Sequence, residues 1–176
     1  MHGMIGPVWH GTRAKFKKFK LQPGAHLGFH FSKSQETSAS FGPEKAYFLD
    51  IKHPLKTRDI EAWGSAYTVV QEFGTQIFPE GWHRSEFEQQ AALEEAYENG
   101  QKVNIDKLGS LREGLLEAVR KQIQAKGYDG IQYENTIEGG GTSYIVFNPK
   151  QIYPARTEAN CDAIQSPLQR STSECS

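Results

Sequence analysis

The stretch GYDGIQYENTIEGGGTSYIVFNPKQI, residues 127–152, places two runs rich in β-branched and aromatic residues on either side of a glycine-rich turn. GYDGIQYE and TSYIVFNPKQI read as strands, and NTIEGGG between them is long enough to project a side chain into a cleft. Just upstream, Leu108, Leu111, Leu115, Val119 and Ile123 recur at three- and four-residue steps, which predicts a helix over 108–126 with Gly127 as its C-cap signal. A second helix is predicted over 86–98. Toward the amino terminus, Val8 and Trp9 read as a short buried strand. LGFHFS alternates before a short helix in KSQETSASFG with Ser32 as its N-cap. KAYFLDIKHPL reads as a strand ended by Pro54. Residues 57–85 have no sustained period and are read as loop and short helix. This order of elements predicts an α+β domain rather than alternating βαβ units.

The chain has 176 residues, 37% hydrophobic and 23% charged, which suits a single domain with a sizeable core. That domain is expected over 1–156, with the small and polar residues 157–176 as a disordered tail. No apolar run approaches a membrane span and Met1–Pro7 lacks a signal-peptide pattern, so a cytoplasmic location is expected, with no membrane partner. A net charge of −1 does not support nucleic acid as a partner. Arg13, Lys15, Lys17, Lys18 and Lys20 form a basic stretch; with Phe16 and Phe19 three apart, it reads as a partly buried segment whose lysines face water. Glu86, Glu88, Glu94, Glu95 and Glu98 form an acidic stretch. Cys161 and Cys175 have no ligand spacing, and His26, His53 and His83 are not clustered, so no metal site is expected.

Three patches carry the chemistry: WHGTR at 9–13, GFHFSKSQETSASF at 28–41, and the stretch at 127–152. Taken in this order they resemble the ADP-ribosyltransferase superfamily, in its diphtheria-toxin-like and poly-ADP-ribose-polymerase-like branch, and the last patch is most similar to the transferase modules of phage polyvalent proteins. The resemblance implies a split antiparallel β-sheet core with peripheral helices and a cleft between two small sheets. It also implies NAD+ as donor substrate. His10, Gly11 and Thr12 match the histidine-glycine-hydroxyl motif, and Gly28, His30, Phe31, Ser38 and Phe41 match the steps of the next strand and helix. In the family, the glycine corresponding to Gly11 bonds the nicotinamide carboxamide through its backbone, at a close approach that glycine permits. The histidine matching His10 holds a ribose hydroxyl, the serine matching Ser38 adds a carboxamide contact, and an aromatic, here Phe41, stacks on the nicotinamide.

Two departures from the polymerase pattern stand out. His30 replaces a tyrosine and can still stack by its edge and hydrogen-bond. Ser143 replaces the final-strand glutamate that orients the donor ribose and stabilises positive charge at its anomeric carbon. The resemblance to phage modules with a Y-x-N-x-x-E pattern assigns that carboxylate to Glu138 in the glycine turn. Glu134 is the alternative, but alternation sets it opposite Tyr133, and Asn135 carries no charge. Singly, each residue has a structural reading: His10 as a satisfied core histidine, His30 as a surface position, Phe41 as core, Glu138 as a solvated carboxylate.

The reading that follows is a mono-ADP-ribosyltransferase, a glycosyltransferase that moves ADP-ribose from NAD+ to a macromolecular acceptor, a protein, and releases nicotinamide. His10, His30 and Glu138 are its expected catalytic residues, and the expected setting is a phage or bacterial effector, which could act in a host cytoplasm. The alternatives are an NAD+ glycohydrolase and a catalytically inactive binding or inhibitory module of the same fold.

Overall fold

The computed structural model describes residues 3–14, 18–21, 27–136 and 139–155. Its elements run β1 (Ile5–Gly11), β2 (Phe29–Ser32), α1 (Gln35–Ala39), β3 (Glu44–Leu49), β4 (Pro54–Arg58), α2 (Ala66–Ile77), α3 (Arg84–Glu98), α4 (Ile105–Ala125), β5 (Gly130–Glu134), β6 (Thr142–Val146) and β7 (Ile152–Pro154). Among the described residues seven strands form one sheet in the order β4-β5-β6-β2-β1-β3-β7, mostly antiparallel. The α+β class expected from the sequence is the one observed. The split has a concrete form: β2 pairs with β6 over four residues, whereas β2 and β1 share a single register pair, Trp9 with Ser32. One continuous sheet thus takes the place of two separate ones, and it parts where β1 and β2 diverge.

Strand alternation sorts side chains onto two faces. Ile145 of β6 and Ile131 and Tyr133 of β5 join Leu55, Phe147 and the helices, where Val69, Phe73 and Ile77 of α2 meet Leu115, Val119 and Ile123 of α4. Tyr144 and Val146 face the other way, with Phe31, Val8, Tyr47 and Leu49. Burial of each such aliphatic side chain is worth about 1.5–3 kcal/mol, so α4 is held by its apolar stripe. Asn104 caps α4 by accepting from the Lys107 N–H at 2.9 Å, and Gly127 ends it at φ 92°. The acidic helix α3 fully buries none of its side chains.

Four expectations need correction. Ser34, not Ser32, caps α1 by accepting from the Thr37 N–H at 3.1 Å, because Ser32 is still paired within β2. Pro54 opens β4 instead of closing the preceding strand; at a strand's first position its missing N–H removes nothing the ladder needs. β4 then runs parallel to β5. Asp129 supports that pairing by accepting from the Lys52 and His53 N–H groups, both at 2.8 Å. Finally, residues 66–77 form a twelve-residue helix whose buried positions keep helical spacing, obscured in the sequence by Gly74, which breaks the helical backbone at φ 48°. Phe16, Cys161, Cys175, His26 and the expected tail lie outside the described residues, as do Lys15 and Lys17.

Two isoleucines of α4 test this account. Ile123 is fully buried and Ile105 is 55% exposed. Ile123→Ala is expected to destabilise the protein by about 2–5 kcal/mol in denaturant melts, and Ile105→Ala by no more than about 0.5 kcal/mol.

Candidate active site

Where β1 and β2 part, their backbone groups need other partners. The His10 imidazole supplies one, donating from Nδ1 to the His30 carbonyl at 2.7 Å. The Ser38 hydroxyl braces the last paired residue, donating to the Trp9 carbonyl at 2.9 Å. A side chain from β1 thereby takes a place that a regular ladder would fill with backbone, and one from α1 secures the edge of the pairing. Since a carbonyl only accepts, His10 carries its proton on Nδ1, and Nε2 of the neutral ring is an acceptor. Burial pushes the His10 pKa below its ordinary 6.5, and the bond to His30 offsets only part of that. The ring also packs against Phe19 and Phe31, with centroids 5.2 and 5.3 Å away.

Gly11 lies at the end of β1, beside the gap. The Thr12 N–H bonds the Pro43 carbonyl at 3.3 Å on the β3 side, so strand alternation turns the Gly11 N–H and carbonyl toward β2 and the gap. A Cβ on Gly11 would lie 1.7 Å from the Ser38 carbonyl oxygen. The need for glycine therefore arises inside the protein, where α1 presses on β1. Gly28 is confined in the same way, its Cβ position 2.5 Å from the Val146 carbonyl oxygen.

The gap opens into a cleft of about 580 Å³, and His10, Gly11, Thr12, Gly28, His30, Ser38 and Phe41 all line it. The site residues expected from the first two patches thus come together. Phe41 is 50% exposed at the rim, which excludes the core reading. Thr12 accepts from the Ala14 N–H at 3.1 Å, closing the turn that follows β1. Tyr133, Asn135 and Ser143 form the opposite wall. Glu134 is exposed and accepts a hydrogen bond from the Thr142 hydroxyl at 3.0 Å, on the side of β5 away from that wall. Glu138 lies outside the described residues. On one side of it Asn135 is a cleft residue; on the other, a Cβ on Gly139 would come within 3.0 Å of Thr37 Oγ1.

The sequence reading missed Thr37, Glu61 and Trp63, which also line the cleft. The signal for the last two was the Asp59–Glu61 spacing: Asp59 accepts from the Glu61 N–H at 3.0 Å, a side-chain turn that folds the loop after β4 back over the cleft. The Trp63 ring then packs on Tyr133, centroids 4.8 Å apart. Thr37 Oγ1, Trp63 Nε1 and Ser143 Oγ are buried and have no hydrogen-bond partner among the described residues. Three such atoms on one cleft mark the place where a polar ligand would complete the bonding. A wider groove of about 1000 Å³ runs between α2 and α3 and meets the cleft at Gly64.

Comparison with known proteins gives a family match over nearly the whole chain: the model described as ADP-ribosyltransferase in polyvalent proteins matches residues 1–160. No curated protein and no solved structure matches.

Two measurements follow from this geometry. Gly11→Ala should lower stability by about 2 kcal/mol or more in a denaturant melt, since the new methyl meets backbone that cannot move aside without displacing α1. A depressed His10 pKa means that below 6.5 the unfolded chain takes up a proton that the folded one resists. Stability linked to His10 is therefore present above about pH 6.5 and lost as pH falls. Melting at about pH 7.5 and pH 5.5 is expected to show a smaller acid-induced drop in His10→Gln than in the wild-type protein.

Proposed function

We propose, for a chain that belongs to the family of ADP-ribosyltransferases in polyvalent proteins, that the cleft binds NAD+ and that the protein transfers ADP-ribose to a macromolecular acceptor with release of nicotinamide. The observation that carries this is the exposed backbone edge of Gly11 beside Ser38 and Phe41. An N–H and a carbonyl on one residue match the acceptor and donor of a primary carboxamide, so Gly11 can hold the nicotinamide amide in one orientation. The Ser38 hydroxyl proton is engaged by Trp9. Toward the ligand Ser38 therefore acts as an acceptor, suited to the carboxamide N–H. Phe41 offers an exposed ring for stacking, and His30 an edge on the facing strand. His10 accepts a ribose hydroxyl through Nε2, consistent with a ring kept neutral by burial. The orphaned Thr37, Trp63 and Ser143 atoms fit a hydroxyl-rich donor that supplies both donors and acceptors.

The bond between nicotinamide and ribose breaks with positive charge growing at the anomeric carbon, and a carboxylate must face it. Glu138 takes that role in this reading. Ser143 is 2% exposed and uncharged, which removes the alternative of a final-strand acid. The same feature is what a donor-binding module without activity would retain, so the activity test is decisive. Acceptor identity is set by the region 57–107, which runs from the cleft at Glu61 to α2 and α3. A protein acceptor fits the acidic surface there better than a nucleic acid does.

With purified protein and NAD+, nicotinamide release is expected in the presence of host lysate. Glu138→Gln should reduce it about 10²–10³-fold with NAD+ affinity little changed, while Glu134→Gln should leave it near the wild-type rate. Binding of NAD+ without any release, in lysate or alone, would establish the binding-module reading instead.

A further inference from the structure

Among the described residues, Glu61 is the only carboxylate that lines the cleft. Its backbone sits at φ 62°, in the left-handed region that a long side chain seldom adopts and that glycine or asparagine would occupy more readily. The conformation is imposed from several directions. Asp59 holds the Glu61 N–H with one carboxylate oxygen and, with the other, accepts from the Thr136 N–H at 3.4 Å, tying the loop to the end of β5. The Ala62 N–H closes on the Ile60 carbonyl at 2.6 Å, and the Ser65 N–H on the Ala62 carbonyl at 2.9 Å. Glu61 is exposed and forms no ion pair with any described residue. Two residues on, Trp63 is 6% exposed and presents its orphaned indole N–H to the same cleft.

A carboxylate held by backbone over a cleft, with no cation beside it among the described residues, is suited to receive a cation from elsewhere. No lysine or arginine lines this cleft among the described residues. Gly64 is shared by the cleft and the groove along α3, whose charged lining is balanced: Glu88 and Glu94 against Arg84 and Arg112, with Glu94 paired to Arg112.

We infer that Glu61 selects the acceptor: its carboxylate receives a cationic nitrogen nucleophile, best a guanidinium, and aligns it for attack on the donor. This rests on the transferase reading above. In the step, an acceptor nitrogen forms a bond to the anomeric carbon of the donor ribose. The bond from that carbon to nicotinamide breaks, and its electron pair leaves with nicotinamide. The proton lost by the acceptor nitrogen passes to Glu61 and on to water. Glu61 thus acts on the incoming group, whereas Glu138 acts on the sugar.

Agmatine, a small guanidinium, serves as the probe. Wild-type protein with NAD+ and agmatine is expected to yield ADP-ribosyl-agmatine, detected by mass. Glu61→Gln should yield at least about tenfold less at equal agmatine, through a raised KM for agmatine, with NAD+ affinity by calorimetry within about twofold of wild type. Glu61→Asn, which suits the left-handed backbone, should behave likewise and separates loss of charge from loss of fold. Undiminished adduct in both variants, a parallel loss of NAD+ affinity, or nicotinamide release by the wild type without agmatine adduct would each overturn the assignment. Failure of the wild type to bind NAD+ would overturn the transferase reading itself, and the role of Glu61 with it.

Discussion

The fold turns on the parting of β1 from β2. Two antiparallel strands that diverge after one register pair would leave carbonyls without partners inside the protein, and each such buried group costs about 1–3 kcal/mol. Here His10 takes the His30 carbonyl just past the Trp9–Ser32 pair, and Ser38 braces the paired Trp9 carbonyl, so the sheet can open without that loss. The opening is what exposes the edge of Gly11. Ser38 reaches Trp9 only because α1 lies directly on β1, and α1 can lie there only because position 11 has no Cβ. The adjacent His10 and Gly11 and the distant Ser38 are thus one mechanical unit.

The opposite wall depends on a different device. Asp129 secures the bend between β3 and β4, which lets β4 add to the sheet in parallel beside β5. The loop leaving β4 then emerges next to the end of β5, and Asp59 fixes it there. Trp63 closes over Tyr133 as a result. The cleft is therefore bounded by one wall that is a disrupted antiparallel pair and one that is a parallel pair with a clamped loop. Helices α2 and α4 carry no cleft side chain; they stabilise the sheet from behind through an apolar stripe.

Legibility from sequence followed the range of the interactions. The α4 stripe, the α3 helix and the strands around the glycine turn were readable because periodicity and turn residues act locally. The motif residues were readable as a set through their order along the chain, and the structure gathers those of the first two patches around one cleft. Pro54 was misread because a proline stops a strand or starts one depending on which neighbour arrives, and that neighbour, β5, is more than seventy residues away. Ser32 lost the cap to Ser34 because pairing with β6 extended β2 further than local propensity suggested. Glu61 and Trp63 were not found because their place at the cleft is fixed by β4–β5 pairing, which leaves no periodic trace in residues 57–64. The glycine at position 11 was recognised as necessary, but for the ligand; the crowding atom is the protein's own Ser38 carbonyl.

The absence of an acid at position 143 also has a physical basis. Ser143 faces Tyr133 across β5 and β6 and is almost fully buried. A carboxylate there would be stripped of water, and no arginine or lysine lines the cleft among the described residues to compensate it. Even the serine hydroxyl has no partner among them. A site of this kind can keep negative charge only where water or an arriving cation offsets it, at a rim or in a turn. Glu61 meets the first condition through a backbone conformation imposed by its neighbours. Asn135 lines the cleft, Gly139 lies beside Thr37, and Gly139, Gly140 and Gly141, all at positive φ, bring the chain back to β6 without a side chain filling the space. Keeping charge off the strand lets the sheet retain its packed core around Ser143.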